Sequence, residues 1–116
     1  MKPSLYSLLL MSGLVIVIFS CTQDMIDPSA CNTSEVTYTD DVASIINGSC
    51  AVPGCHVGGQ SPLLTDFAST AVGATGPEFL PRINHEEGFS AMPPAGMLEQ
   101  CEIDIITAWI AAGTPE

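Results

Sequence analysis

Apolar residues recur at helical spacing in several stretches of this chain, and Gly, Pro and Asn interrupt the intervals between them. No two alternating apolar and polar segments beyond residue 21 are joined by a hairpin turn, so paired strands are not expected. Residues 88–96 contain two prolines and two glycines and are predicted to form a loop. The helices predicted from this pattern span residues 40–47, 65–72, 77–83 and 99–112. The pattern indicates an all-α domain of three to five helices.

The first predicted helix has an apolar face that begins at Val42 and continues at i+3 and i+4. Thr39 or Asp40 is expected to cap its N-terminus, where acidic residues are favourable. Asn47-Gly48 is a stop signal of the kind that ends helices. This helix is therefore expected to lead the chain directly to Cys50.

The last predicted helix has the clearest apolar stripe. Isoleucines stand at i, i+3 and i+7 from Ile103, and Ile105 and Trp109 widen the stripe. Gly113 follows as a stop signal. Trp109 is expected to lie in the core between helices, and a role as an electron conduit is the less favoured alternative.

The first twenty residues have the pattern of an export signal. Lys2 precedes an apolar run over residues 5–19, and a small residue stands before Cys21. This arrangement resembles the bacterial lipoprotein signal, in which Cys21 becomes the lipidated N-terminus, and ordinary secretion is the alternative. We interpret residues 1–20 as a signal peptide, residues 21–37 as a polar tether and residues 38–116 as the folded domain. The protein is expected to be exported and lipid-anchored, on the periplasmic side of a membrane or on the cell surface.

The chain is strongly acidic, with 13 Asp and Glu against two basic residues and a formal net charge of −11. Only Arg82 of the two basic residues lies beyond the signal peptide. Nucleic acid is therefore not an expected partner, because phosphate binding requires clustered cations. An acidic surface suits a partner with a basic docking face, found by electrostatic steering, although solubility alone also accounts for it.

The residues that carry the most chemical information are Cys50, Cys55 and His56. Two cysteines followed directly by a histidine are typical of covalent haem c attachment, with the histidine as an iron ligand. Four residues separate the cysteines here, whereas the familiar spacing is two. Pro53-Gly54 at the centre of this spacer favours a type II turn over Val52–Cys55, which would accommodate the extra length.

Two alternatives to haem remain open for these residues. Cys50 and Cys55 could form a small-loop disulfide. They could also bind zinc together with His56 and His85, although no second pair of closely spaced cysteines completes such a site.

These pieces together resemble a class I cytochrome c domain of the small bacterial lipoprotein type. The resemblance extends over nearly the whole predicted domain, 38–116. The residues that carry it are Tyr38 to Val42 leading to Ile45-Ile46, Cys50 to His56, Ile83-Asn84-His85 ahead of Met92-Pro93-Pro94, and Glu102 to Gly113. It implies a helical bundle around one covalently attached haem, with the first and last helices packed together.

The resemblance also implies residue roles. Cys50 and Cys55 would bind haem covalently, His56 would be the proximal iron ligand and Met92 the distal one. Met97 and His85 are the rivals of Met92, which is favoured because it lies in a loop stiffened by proline. The resemblance further implies a disulfide between Cys31 and Cys101.

Arg82 lies just before the loop that contains Met92. Its guanidinium could pair with a haem propionate, a geometry that suits arginine. An ion pair with one of the many acidic residues is the alternative.

Three functions follow as hypotheses. The leading one is a membrane-anchored monohaem c-type cytochrome that carries single electrons between redox partner proteins and is not an enzyme. The second is a haem sensor or peroxidase-like enzyme with an open sixth site. The third is a haem-free, disulfide-stapled surface lipoprotein.

Overall fold

The computed structural model describes residues 31–116, which are helical and contain no β-strand. A π-helical turn, Tyr38–Val42, continues directly into helix α1, Ala43–Ser49. Helices α2, Phe67–Ala74, α3, Phe79–Ile83, and α4, Gln100–Ala111, follow. The all-α prediction is confirmed for this part of the chain. The predicted signal peptide, the lipidation at Cys21 and residues 21–30 of the tether lie outside the described residues.

The first helical segment begins earlier and ends later in the chain than its sequence signals suggested. Thr37 is the cap, not Thr39 or Asp40: its hydroxyl accepts the N–H of Asp40 at 3.2 Å, and its own N–H donates to the carboxylate of Asp41 at 2.9 Å. The predicted stop at Asn47-Gly48 was also wrong. A glycine ends a helix by adopting a left-handed conformation, and Gly48 keeps a helical one, so α1 runs on to Ser49.

The other helices lie close to their predicted positions. The carboxylate of Asp66 caps α2 by accepting the N–H of Ser69 at 2.8 Å, and α2 continues beyond its predicted end at residue 72, through Gly73 to Ala74. Helix α3 is one short segment that starts at Phe79 and not at Pro77. Helix α4 agrees with its prediction within one residue at each end, and Gly113 beyond it has the left-handed φ of +88° that terminates helices.

The core joins the beginning of the domain to its end. The Tyr38–Val42 turn contacts α4, where Trp109 is fully buried and its ring centroid lies 5.9 Å from that of Tyr38. The carbonyl oxygen of Pro115 accepts both the indole N–H of Trp109, at 2.8 Å, and the backbone N–H of Tyr38, at 2.9 Å. Trp109 is therefore a core residue whose polar atom is satisfied, as buried tryptophan requires.

A second connection joins the segment before the first helix to α4. Cys31 and Cys101 lie at disulfide distance, with their Cα atoms 5.3 Å apart across 70 residues of sequence. Val36, only 4% exposed, packs into the core just before the helix begins. Within residues 31–116 no helix combines the length and the apolar character needed to cross a membrane.

We predict that replacing both Cys31 and Cys101 by alanine lowers the free energy of unfolding by about 4 kcal/mol. The cross-link closes a loop of 70 residues, and its loss returns the corresponding conformational entropy to the unfolded chain. Urea denaturation of the mature protein measures this change. Each single variant should lose as much as the double variant, because either one breaks the bond. Small, additive losses in the single variants would instead indicate that the sulfur atoms stabilise the domain by packing alone.

Candidate functional site

An open cavity of about 790 Å³ lies among α1, the Cys50–Leu64 segment, α2, α3 and the loop before α4. Cys50, Cys55, His56 and Met92 all line it. The cavity volume falls within the range of about 300–1,000 Å³ that is typical of ligand pockets. The fold therefore gathers, on one cavity, four of the residues that the sequence predicts to bind a cofactor.

The spacer between the two cysteines folds as a tight turn. The N–H of Cys55 donates to the carbonyl oxygen of Val52 at 2.9 Å, and Gly54 has a φ of +84°. These are the features of the type II turn predicted for Val52–Cys55. The N–H of His56 then donates back to the carbonyl oxygen of Cys50 at 3.2 Å. The chain thus returns to Cys50 despite the longer spacer.

The two cysteines differ in their surroundings, and neither forms a disulfide with the other. Cys50 is 9% exposed, and burial raises the pKa of its thiol to about 11, with the nearby charges of Glu102 and Cys55 adding to the effect. Cys55 is half-buried. At neutral pH Cys50 therefore remains a protonated thiol inside the cavity wall.

The ring of His56 is fixed by a hydrogen bond to the loop that follows it. Its Nδ1 lies 2.6 Å from the carbonyl oxygen of Pro62. A carbonyl can only accept, so Nδ1 carries a proton, and in the neutral ring the lone pair is then on Nε2. In the described part of the chain, no residue forms a hydrogen bond with Nε2 of His56. Histidines that bind metals almost always have this arrangement, because the second hydrogen bond fixes the tautomer and the ring orientation.

The three candidates for the second iron ligand occupy different places. Met92 lines the cavity, whereas Met97 and His85 do not. Met97 is 53% exposed and borders a separate surface depression. The Nε2 of His85 donates to the carbonyl oxygen of Met92 at 3.2 Å, since that oxygen can only accept.

Arg82 also lines the cavity, but its guanidinium is occupied by protein groups. Nη2 and Nε lie 2.6 Å and 3.1 Å from the same carboxylate oxygen of Glu78, and Nη1 donates to the carbonyl oxygen of Ser90 at 3.2 Å. The ion pair with a neighbouring acid, given above as the alternative for Arg82, is thus present. The contact with a haem propionate stays a prediction.

The zinc alternative required Cys50, Cys55, His56 and His85 to converge. Among residues 31–116 no three His, Cys, Asp or Glu side chains come together in a group that could hold a metal ion. The iron of a porphyrin is already held by the macrocycle. It needs only additional ligands, such as the ring of His56 and a methionine sulfur, and not a group of three protein side chains. The zinc site is therefore not formed by these four residues in the described part of the chain, and haem stays a prediction.

Pro62 and Gly73 support the site, a role that the sequence analysis did not predict for either residue. A Cβ atom at Gly73 would lie 2.9 Å from Leu64 Cδ2 and 3.2 Å from Pro62 Cγ, so α2 approaches the His56 loop closely at this point. The N–H of Leu64 in turn donates to the carbonyl oxygen of His56 at 2.9 Å. The one available signal was chemical: a ligating imidazole needs an acceptor for its other ring nitrogen.

Comparison with known proteins adds no assignment to this geometry. No family model matches the chain, and neither the curated proteins nor the solved structures contain a significant match.

We predict that Gly73→Ala lowers the free energy of unfolding by about 1 kcal/mol. Overpacking against Pro62 and the buried Leu64 costs about 1–3 kcal/mol, whereas alanine in a helix regains only about 0.5–1 kcal/mol over glycine. Gly48→Ala is the matched control, because nothing lies within 4 Å of its added Cβ and only the gain applies. Urea denaturation of both variants tests this difference. Equal stabilisation by the two substitutions would show that α2 does not constrain Pro62.

Proposed function

We propose that this protein is a monohaem c-type cytochrome that carries single electrons between redox partner proteins. The observation that carries the proposal is the convergence of Cys50, Cys55, His56 and Met92 on one cavity, with the Nδ1 of His56 bound to Pro62. The resemblance to a small lipoprotein-type class I cytochrome c, which rests partly on the same residues, implies these roles for them.

Each residue has a distinct task under this proposal. Cys50 and Cys55 would each hold the haem through a thioether bond. Each S–H would add across a different vinyl C=C, with the sulfur on one vinyl carbon and the thiol hydrogen on the other, so no net oxidation or reduction is needed. His56 would hold the metal through Nε2 and Met92 through its thioether sulfur. The apolar lining, which includes Leu64, would shield the cofactor from water.

Haem supplies the one-electron redox chemistry when it is bound. The protein sets the reduction potential through the ligands that it offers, and a histidine and methionine pair raises the potential relative to two histidines. With His56 and Met92 both holding the iron, no position would remain open for a substrate. This ligand set therefore favours an electron carrier over a sensor or a peroxidase-like enzyme.

Location and partners form the second part of the proposal and rest on the sequence. Lipidation of Cys21 would hold the domain on the periplasmic side of a membrane or on the cell surface, with residues 22–37 as the connection. Acidic side chains dominate the domain, and its single arginine is already paired with Glu78. A redox partner with a basic docking face would therefore be attracted, and added salt would slow the encounter.

Mass spectrometry of the mature protein tests the central claim. The chain is produced with its own signal peptide in a bacterium that has cytochrome c maturation machinery, and then purified under denaturing conditions. We expect the mass of the polypeptide plus one haem, with both Cys50 and Cys55 blocked to alkylation. A colourless protein whose two thiols are free, or joined to each other, would refute the proposal and leave the haem-free surface lipoprotein.

We predict that Met92→Ala lowers the reduction potential and opens the sixth position while the covalent haem stays in place. The expected shift is on the order of 0.1 V, a fraction of the roughly 0.8 V range that axial ligands span. Potentiometric titration measures the shift, and carbon monoxide binding to the reduced protein measures the open site. Met97→Ala is the matched control and should change neither. If Met97→Ala gives the larger effect, the distal ligand is Met97.

A further inference from the structure

The backbone of Met92 is held on both sides by residues at the end of α3. Its N–H donates to the carbonyl oxygen of Arg82 at 3.0 Å, and its carbonyl oxygen accepts from the Nε2 of His85 at 3.2 Å. Both main-chain polar groups of the proposed ligand are therefore satisfied by two residues that are close in sequence. A peptide unit held at its donor and its acceptor has little freedom to rotate.

The side chain of Arg82 adds a third connection to the same loop. Its Nη1 donates to the carbonyl oxygen of Ser90, two residues before Met92. The carboxylate of Glu78, one helical turn earlier, binds Nη2 and Nε of Arg82 and so orients the guanidinium toward the loop. The network runs from Glu78 through Arg82 to Ser90, parallel to the contact between His85 and Met92.

The loop has few other means of support. We define residues 86–96 as the Met92 loop. Its residues from Glu86 to Ser90 are exposed, and no residue of the loop is fully buried. Segments with few buried apolar contacts open locally at low free-energy cost, so individual hydrogen bonds decide how often they do so.

We propose that His85 and Arg82 are positioning residues that hold the Met92 loop closed against the end of α3. His85 fixes the carbonyl of Met92, and Arg82 fixes its N–H and the carbonyl of Ser90. As a consequence, the two residues determine how firmly the methionine sulfur competes with external ligands. This consequence rests on the proposed function. It assigns His85 to the support of the distal ligand and not to the metal.

The test compares His85→Leu with His85→Gln in the complete mature protein. Leucine removes the hydrogen-bond donor, whereas the side-chain amide of glutamine restores a donor at similar reach. His85 has a left-handed φ of +52°. Leucine and glutamine are both strained in this conformation, so backbone strain does not distinguish the two variants. Asn84→Leu is the matched control, because it removes a neighbouring hydrogen bond, to the carbonyl oxygen of Leu80 at 2.8 Å, that does not involve the loop.

Two measurements are made on each variant. Amide hydrogen exchange of the peptide covering residues 86–96 reports the opening of the loop, whether or not haem is attached. Imidazole titration of the oxidised protein reports competition for the sixth position, and the far-red absorption band of sulfur bound to ferric haem reports the distal ligand. For His85→Leu we expect exchange and imidazole affinity each to increase about threefold to tenfold, as the loss of one hydrogen bond implies. His85→Gln and Asn84→Leu should remain near the wild type.

Failure of this inference can be distinguished from failure of the proposed function. Unchanged exchange in His85→Leu, or equal increases in His85→Leu and His85→Gln, would overturn the positioning role even in a protein that carries haem. Faster exchange without any change in imidazole affinity would also overturn it, because the loop would then not govern the distal ligand. A wild-type protein without haem would refute the proposed function, and its exchange data would still decide whether His85 holds the loop.

Discussion

The hydrogen bond between the Nδ1 of His56 and the carbonyl oxygen of Pro62 is the interaction on which the site depends. It determines which ring nitrogen bears the proton and therefore which one has a lone pair to offer. A second hydrogen bond closes the same loop, because the carbonyl of His56 accepts the N–H of Leu64, whose side chain is buried in the core. Helix α2 packs closely on this loop at Gly73, where an added Cβ would lie 2.9 Å from Leu64 Cδ2. The orientation of the ring is thus connected to the packing of a helix.

The remainder of the domain holds this loop in place by joining the two ends of the fold. Tyr38 and Trp109 share the carbonyl of Pro115, and Cys101 at the start of α4 reaches Cys31 before the first helix. A domain of this size buries little apolar surface, so cross-links between distant parts of the chain matter more than they would in a larger protein. These connections tie the segment that leads into α1 and Cys50 to α4, which follows the Met92 loop.

The features that sequence analysis predicted well are local ones. The turn at Pro53-Gly54 and the extent of α4 depend on neighbouring residues, and both are present in the structure. The stop predicted at Gly48 was wrong because glycine permits a left-handed conformation without requiring it, and the apolar face of α1 continues to Cys50. The contacts of Pro62 and His85 were not predicted, for a different reason. Each is a side-chain to main-chain hydrogen bond formed in the tertiary fold, which leaves no periodic or compositional pattern.

The open cavity has an energetic consequence for a protein of this kind. Its walls carry apolar side chains such as Leu64, Phe79 and Ile83, whose contacts are incomplete on the side that faces the cavity. A planar, largely apolar cofactor would supply those contacts, and its binding free energy would add to the stability of the folded state. Under the proposed function, attachment through Cys50 and Cys55 makes that contribution permanent. The same two residues would then serve both chemistry and folding, which would account for so large a cavity in so small a domain.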